Sequence, residues 1–381
     1  MKKLIAAAVA AAVIAPASVM AAGPTLYGKI HMSIDYKDNN TSNNVGVKYK
    51  EWGLNTNSSR IGVKGSEDLG NGMKVGYLIE WGVNMDGDTA NNNLNERNRA
   101  VTLSGDWGTG LVGRWDTPMK TFGRKLDLFG DQIGDTRTIN RHVGTANNGT
   151  MDNRANNVAA YVTPNMNGFT ATVAYVFDAG TGVNLAGDDS DASAWSFNAI
   201  YKNGPLMAGV AYVDYNEDGQ VPIGGLKPAT LDNASAWRAG ASYKFGDLKV
   251  VASYTDMESQ NFVKDIDPSV WTLGAAYTMG NNVIKFQYSD RDDSGLKTCN
   301  GGNTGAGTGV LKCKDGVSMW SIGLDHKMSK RTTVYAAYAD MDNDKNSNSA
   351  VWTRSGHDGE GNAPALGNDA DAFSVGIIHK F

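Results

Sequence analysis

Apolar and polar residues alternate along the chain, in segment after segment, from Thr25 to the C-terminus. Between 237 and 245, every second residue is apolar and the residues between them are glycine or polar. Successive side chains of a β-strand point to opposite faces, so a period of two predicts strands with one apolar and one polar face. No helical segment of note is predicted between them. Sixteen such segments are predicted, at 25–36, 58–66, 73–83, 97–104, 110–115, 154–163, 169–177, 194–202, 206–213, 235–245, 248–255, 270–279, 283–289, 318–327, 332–339 and 372–381.

The connections between these segments alternate strictly between short and long. This rhythm gives one rim of tight turns and one rim of long polar loops, which is typical of an up-and-down antiparallel barrel in an outer membrane. The seven short connections are 67–72, 105–109, 164–168, 203–205, 246–247, 280–282 and 328–331. The eight long ones are 37–57, 84–96, 116–153, 178–193, 214–234, 256–269, 290–317 and 340–371.

The apolar face of these strands favours lipid as its surroundings. A closed barrel satisfies every backbone hydrogen bond, which a bilayer requires, and sixteen strands enclose more space than side chains fill. Trp237 and Phe245 are eight residues apart, or about 26 Å along a strand. After tilting, this spacing is close to the roughly 25 Å apolar band of such barrels. The alternative, a secreted soluble β-sandwich or propeller, fits the aromatic strand ends and the loop rhythm less well.

Composition excludes two other classes of protein. The one long apolar run, 4–17, lies at the N-terminus, so no later stretch is long enough for a transmembrane helix. The net charge of −5 argues against nucleic acid as a partner. The mean hydropathy of −0.36 resembles that of a soluble protein, but half of each strand would face water in a pore.

The N-terminus has the pattern of a secretory signal peptide. A basic start, Met1–Lys3, precedes the apolar residues 4–15 and a stretch of small residues that ends at Ala22. Cleavage is expected after Ala21 or Ala22. This leaves a single barrel domain, 23–381, whose net charge is −7 because two lysines are lost with residues 1–22.

Export also bears on the two cysteines. Cys299 and Cys313 lie in the same long connection, and an oxidising compartment favours a disulfide between them. Such a bridge would restrain a loop by about 3 kcal/mol. The histidines are scattered and form no ligand pair or catalytic triad, so neither a metal site nor an enzyme is predicted.

Several stretches, in order along the chain, resemble the general porins of the Gram-negative outer membrane. The resemblance implies a sixteen-stranded trimeric diffusion channel in contact with membrane lipid and lipopolysaccharide. It also implies that the last strand, ending in Phe381, is read by the barrel-assembly machinery. The matching stretches include Leu26-Tyr27-Gly28-Lys29, 59–65, 67–72, 103–110 with Gly113-Arg114 and Thr117-Pro118, Arg154, Asn157, Tyr161, Thr163-Pro164, 328–332 and 376–381.

The same resemblance implies that the third long connection, 116–153, folds into the lumen and narrows it. Acids on this loop would face a basic wall across a gap and create a transverse field. The residues placed there are the bases Lys29, Arg60, Arg97 and Arg154 and the acids Glu80, Asp116, Asp127, Asp131 and Asp135. The alternative is solvated lumen charge and ordinary loop composition. Two features depart from the family pattern and bear on ion selectivity: Ala160 stands in place of a base, and the loop carries the cations Lys120, Arg124, Lys125, Arg137 and Arg141.

The expected function is passive diffusion of small hydrophilic solutes and ions. A substrate-selective porin for sugars or phosphate is the alternative, and a barrel enzyme or an adhesin is less favoured. The mature charge and the acidic loops predict a weak preference for cations. Those loops also admit Ca²⁺ bridging to lipopolysaccharide, although plain solvated tips are the favoured interpretation. The loop acids concerned are Asp188, Asp189, Asp191, Asp342 and Asp344.

The segment 97–104 supplies one expectation about assembly. If Asn98, Ala100, Thr102 and Ser104 point outward, this wall is small or polar and suits protein better than lipid. The alternation is weak there, so the choice of face is poorly defined by the sequence.

Overall fold

The structure is a computed structural model that describes residues 23–40, 50–87, 94–140, 151–177, 193–216, 232–259, 266–295, 313–352 and 364–381. The predicted signal peptide lies outside these residues. No helix in the described ranges is long and apolar enough to cross a membrane.

Almost all regular structure is β-sheet. The single α-helix of the described part, α1, spans Pro118–Leu126, and a 3₁₀ turn spans Thr136–Thr138. The strands are β1 Thr25–Asp38, β2 Lys50–Thr56, β3 Arg60–Gly70, β4 Met73–Val83, β5 Leu94–Gly105, β6 Gly108–Asp116, β7 Arg154–Val162, β8 Phe169–Phe177, β9 Ser193–Asn203, β10 Leu206–Tyr215, β11 Ala234–Phe245, β12 Leu248–Glu258, β13 Ser269–Met279, β14 Asn282–Arg291, β15 Val317–Lys327, β16 Thr332–Asn343 and β17 Ala370–Lys380.

One closed antiparallel sheet contains all of these strands. Apart from β2 and β3, neighbours in sequence pair with each other, and β17 closes the barrel against β1 from Lys29–Lys380 to Asp38–Asp371. Both β2 and β3 pair with β1, β2 along its second half and β3 along its first. They therefore occupy one position, and the barrel has the predicted sixteen.

The second position differs from the prediction in extent. The sequence places Lys50–Thr56 in a long loop. In the structure this segment is β2, which lies in line with β3 and is separated from it by a break at 57–59. Ser58 has a φ of 54° there, a left-handed conformation that interrupts regular pairing. The break hides the strand's first half from the sequence pattern.

The two faces of the strands have opposite environments, as the alternation predicts. On β15, Trp320, Ile322 and Leu324 are 36–47% exposed, whereas Met319 and Ser321 are 1% exposed. The C-terminal residue completes the outer face beside β1, because Phe381 and Gly28 exchange backbone hydrogen bonds of 3.2 and 3.0 Å. Its ring covers Gly28, where a Cβ would lie 2.4 Å from a ring atom.

The outward face of β5 corrects one prediction. Val101 and Leu103 are exposed to the outside, by 50% and 43%, whereas Ala100 is buried. The register against β4 shifts between Ile79 and Trp81, so two residues of β5 oppose one of β4. This bulge reverses the alternation. The predicted outward set Asn98, Ala100, Thr102 and Ser104 is therefore wrong, and these residues do not form a protein-facing outer wall.

Candidate functional site

The segment that follows β6 begins with a helix, although the sequence pattern predicted no helix there. Thr117 caps it by accepting a hydrogen bond from the Lys120 backbone N–H at 3.4 Å, and Pro118 lies in the first turn of the helix. Both are established helix-start signals. Met119, Phe122 and Leu126 are buried and recur at near-helical spacing. α1 thereby packs against β9, β10 and β11.

Hydrogen bonds fix the start of this segment to inward side chains of β9. Asn198 donates its amide to the Pro118 carbonyl at 2.8 Å, and the Ser196 hydroxyl accepts from the Met119 N–H at 3.2 Å. Both polar side chains are at most 4% exposed. The contacts hold α1 against the inner wall.

Beyond α1 the segment reaches strands on the other side of the barrel. The Gln287 side chain of β14 accepts from the Leu128 N–H at 2.9 Å, and Lys285 of β14 donates to Gln132 at 2.7 Å. Asp131 meets Lys29 of β1 at 2.8 Å. Since these wall side chains all point inward, residues 117–140 cross the lumen and narrow it.

A buried ion pair anchors the far end of the segment. Arg238 of β11 binds Asp152 through two hydrogen bonds of 2.7 and 3.1 Å, and both side chains are 3% exposed. Arg238 also donates to Thr255 at 2.8 Å and to the Met119 carbonyl at 3.4 Å. One arginine thus connects both ends of the loop to the wall. The sequence showed it only as a polar residue on an inward face.

Glu80 forms the first of three charged groups in the narrow region. Its carboxylate lies 2.6 Å from Arg97 and 3.5 Å from Arg60, and it accepts a hydrogen bond from the Tyr27 hydroxyl at 3.1 Å. The β5 bulge directs Arg97 inward beside Glu80. Two guanidinium groups therefore neutralise one carboxylate.

Asp131 is the centre of the second group. It binds Lys29 at 2.8 Å, Arg137 at 2.9 Å and Arg124 at 3.0 Å. Arg137 also holds Asp135, by hydrogen bonds of 2.5–3.2 Å. Burial alone would raise the pKa of Asp131, but Arg124, Lys29 and Arg137 hold it well below its usual range. Both acids are charged and in direct contact with cations.

Asp116 organises the third group. It lies 2.9 Å from Lys120 and 3.0 Å from Arg154. Arg154 also donates to the Asn98 side chain at 2.7 Å. Burial lowers the pKa of Lys120 to about 8 against the opposing effect of Asp116. Again two cations meet one anion.

Asp127, also predicted in the constriction, has a different environment. It accepts hydrogen bonds from the Phe129 N–H at 2.9 Å and from Gln287 at 3.3 Å. It forms no ion pair among the described residues, and its Oδ2 is buried without a hydrogen-bond partner. Burial and nearby Asp135 raise its pKa to about 7. Its negative charge is therefore only partly present at neutral pH.

All nine predicted pore charges are thus described, but their arrangement differs from opposed walls across a gap. Each acid except Asp127 touches its bases directly, as Lys29 and Asp131 do. The loop cations noted as departures, Lys120, Arg124 and Arg137, supply partners for these acids. Arg141 lies outside the described residues.

Two other predictions concern the outer loops. Cys313 is disulfide-bonded and buried, while its predicted partner Cys299 lies outside the described residues. Of the acids predicted on the outer loops, Asp342 is the second-last residue of β16 and Asp344 directly follows that strand. Asp188, Asp189 and Asp191 lie outside the described part of the chain. Within the described ranges no three His, Cys, Asp or Glu side chains are placed to hold a metal ion.

Comparisons with known proteins agree with this architecture. The chain is 32% identical to outer membrane porin protein 32 of Delftia acidovorans over 230 residues, which cover 59% of this chain and 62% of that protein. It superposes on an anion-selective porin from Comamonas acidovorans with a TM-score of 0.73 and 26% identity, covering 94% of this chain and 99% of the other. The trimer form of OmpT from Vibrio cholerae shares the fold, with a TM-score of 0.61 and 14% identity over 94% of this chain and 99% of that one. The sequence profile described as Gram-negative porin matches residues 6–346, and the chain belongs to this family of outer-membrane barrels.

Proposed function

We propose that the protein is a passive channel for small hydrophilic solutes that favours anions at its narrow region. The observation that carries this proposal is the charge balance of the three groups described above. Seven bases contact four acids there, a formal excess of three positive charges. The bases are Lys29, Arg60, Arg97, Lys120, Arg124, Arg137 and Arg154, and the acids are Glu80, Asp116, Asp131 and Asp135.

This proposal replaces the cation preference expected from the net charge of the mature chain. Charges on the outer loops are screened over about 8 Å at physiological salt. An ion in the narrow region is much closer to the wall and loop charges, which act in a low-dielectric surrounding. The solved porin from Comamonas acidovorans, described as anion-selective, supports the same direction.

Reversal potentials across planar bilayers test the proposal. With a KCl gradient, a chloride-to-potassium permeability ratio above one is expected, together with channel closures in groups of three. A ratio below one would overturn the anion preference, and absence of conductance would overturn the channel itself.

Channel closures in groups of three also test a further part of the proposal, namely that the protein is a homotrimer. The outward face of β5 and β6 supports this, because it carries an Arg99–Glu96 ion pair of 3.0 Å and Arg114. Charge on a lipid-facing position of a barrel costs about 2–4 kcal/mol at the bilayer centre. Contact with a second copy, rather than with lipid, would remove this cost. Two further partners are proposed. Lipopolysaccharide would surround the other strands, and the barrel-assembly machinery would recognise the last strand with its C-terminal Phe381.

The ion selectivity is expected to change with pH because the pKa of Asp127 is raised to about 7. As the pH falls from 8.5 to 5.5, this acid becomes neutral, so the excess positive charge and the chloride-to-potassium ratio should rise. Lys249, Asp135, Arg124 and Arg137 act on its charge. Asp127→Asn keeps the acceptor for the Phe129 N–H and should show a higher ratio than the wild type above pH 7, with the difference vanishing at pH 5.5.

Comparing the pH dependence of the two proteins isolates the contribution of Asp127, because all other lumenal residues are the same in both. Equal pH dependence in the wild type and the Asp127→Asn variant would contradict the prediction.

A further inference from the structure

Four lysines lie together near the short-turn rim, outside the charged groups of the narrow region. Lys244 of β11 and Lys249 of β12 are direct cross-strand partners beside the tight turn at Gly246-Asp247. Lys244 alternates with the outward residues Tyr243 and Phe245, and its cross-strand partner Lys249 lies on the same face of the sheet, so both face the lumen. Like charges directly opposite each other on a sheet are destabilising. Their placement therefore requires an explanation.

Lys202 of β9 faces the same part of the lumen. Lys202 pairs with Met207 of β10, and Met207 pairs with Ser242 of β11. Ser242 lies two residues before Lys244, on the same face of the strand. Two strand spacings separate Lys202 from β11, about 10 Å, a distance that two extended lysine side chains bridge. Lys202 is exposed, which leaves its ammonium accessible from the lumen.

Lys125 brings the fourth charge from the last turn of α1. The helix contacts the strands that bear the other three lysines. Burial lowers the pKa of Lys125, and the proximity of Lys202 lowers it further. We call Lys125, Lys202, Lys244 and Lys249 the lysine patch.

The lysine patch contrasts with the cations of the narrow region in lacking acidic partners. Lys29, Lys120 and Lys285 each contact a carboxylate, whereas no ion pair involves a patch lysine in the described ranges. Asp127 interacts with Lys249 only through space, and its charge is partial at neutral pH. The site therefore has an uncompensated positive charge on a concave, water-filled wall.

We propose that the lysine patch binds multivalent anions, solutes that carry two or more phosphate or carboxylate groups, at the periplasmic end of the lumen. Several ammonium groups on adjacent strands and on α1 match the spread of charge on such a solute, whereas a monovalent ion engages only one or two. This inference deepens the proposed anion-preferring channel and rests on it.

Calorimetry with inorganic triphosphate tests the site on the detergent-purified protein. The triple variant Lys202→Gln/Lys244→Gln/Lys249→Gln should weaken triphosphate binding by about ten-fold. The matched control, Lys64→Gln/Lys327→Gln/Lys380→Gln, removes three inward lysines from the same rim on other strands, and should change affinity by less than about three-fold. A citrate titration distinguishes phosphate from carboxylate ligands.

The outcomes separate the patch from general lumen charge. Absence of triphosphate binding, or equal loss in the two triple variants, would overturn the lysine patch as a site. Reversal potentials of the same proteins keep the two proposals distinct. Cation preference with patch-dependent binding would refute only the selectivity, and anion preference without such binding would refute only the patch.

Discussion

Replacing Arg238 with methionine is expected to give a channel with a larger, noisier single-channel current and lower thermal stability. Asp152 would be left buried without its cation, which typically costs about 3–5 kcal/mol. The same change removes the hydrogen bond to the Met119 carbonyl. Both ends of the segment that narrows the lumen would lose their common attachment. Planar-bilayer recordings and thermal unfolding in detergent measure the two effects.

Two further variants show whether loop attachment causes the effect. Arg238→Met/Asp152→Leu removes both charges, and replacing a whole buried pair is often neutral or stabilising, so it should recover much of the stability. Arg291→Met removes another buried arginine, one that donates to the Asp315 carbonyl at 2.7 Å near the outer loops. It should lower stability without raising conductance. An Arg238→Met channel with wild-type conductance would show that the pair does not hold the loop.

Removing the two arginines beside Glu80 is expected to reduce the anion preference strongly. Arg60→Gln/Arg97→Gln takes the excess charge of the narrow region from three to one and leaves Glu80 without its two cations. At separations near 8 Å in water, each lost charge shifts the energies of chloride and potassium by about 0.5 kcal/mol in opposite directions, so losing two lowers the chloride-to-potassium permeability ratio by about thirty-fold at low salt. Reversal potentials in a KCl gradient measure it.

The control for this variant removes the same number of charges elsewhere in the lumen. Lys64→Gln/Lys380→Gln lies at the short-turn rim and should change the ratio much less. If the two double variants shift the ratio equally, selectivity depends on total lumen charge rather than on the three groups.

The strands could be predicted from the sequence because alternation depends on local geometry. The predicted 73–83 and 169–177 coincide with β4 and β8. Prediction failed where the backbone departs from regular pairing. The bulge in β5 directs both Arg97 and Asn98 inward, and nothing in the local pattern marks that position. The start of α1 did carry a signal, Thr117-Pro118, which the strong strand pattern obscured.

The sequence by itself determined the barrel, its two rims and the types of charge that line its lumen. Only the tertiary structure decided which charges cancel. Lys29 and Asp131 are separated by 102 residues yet are in contact, whereas Asp127, four residues before Asp131, has no cation partner among the described residues. The reason is that electrostatic energy depends on distance and burial in space, and closing the barrel around an inward loop sets both.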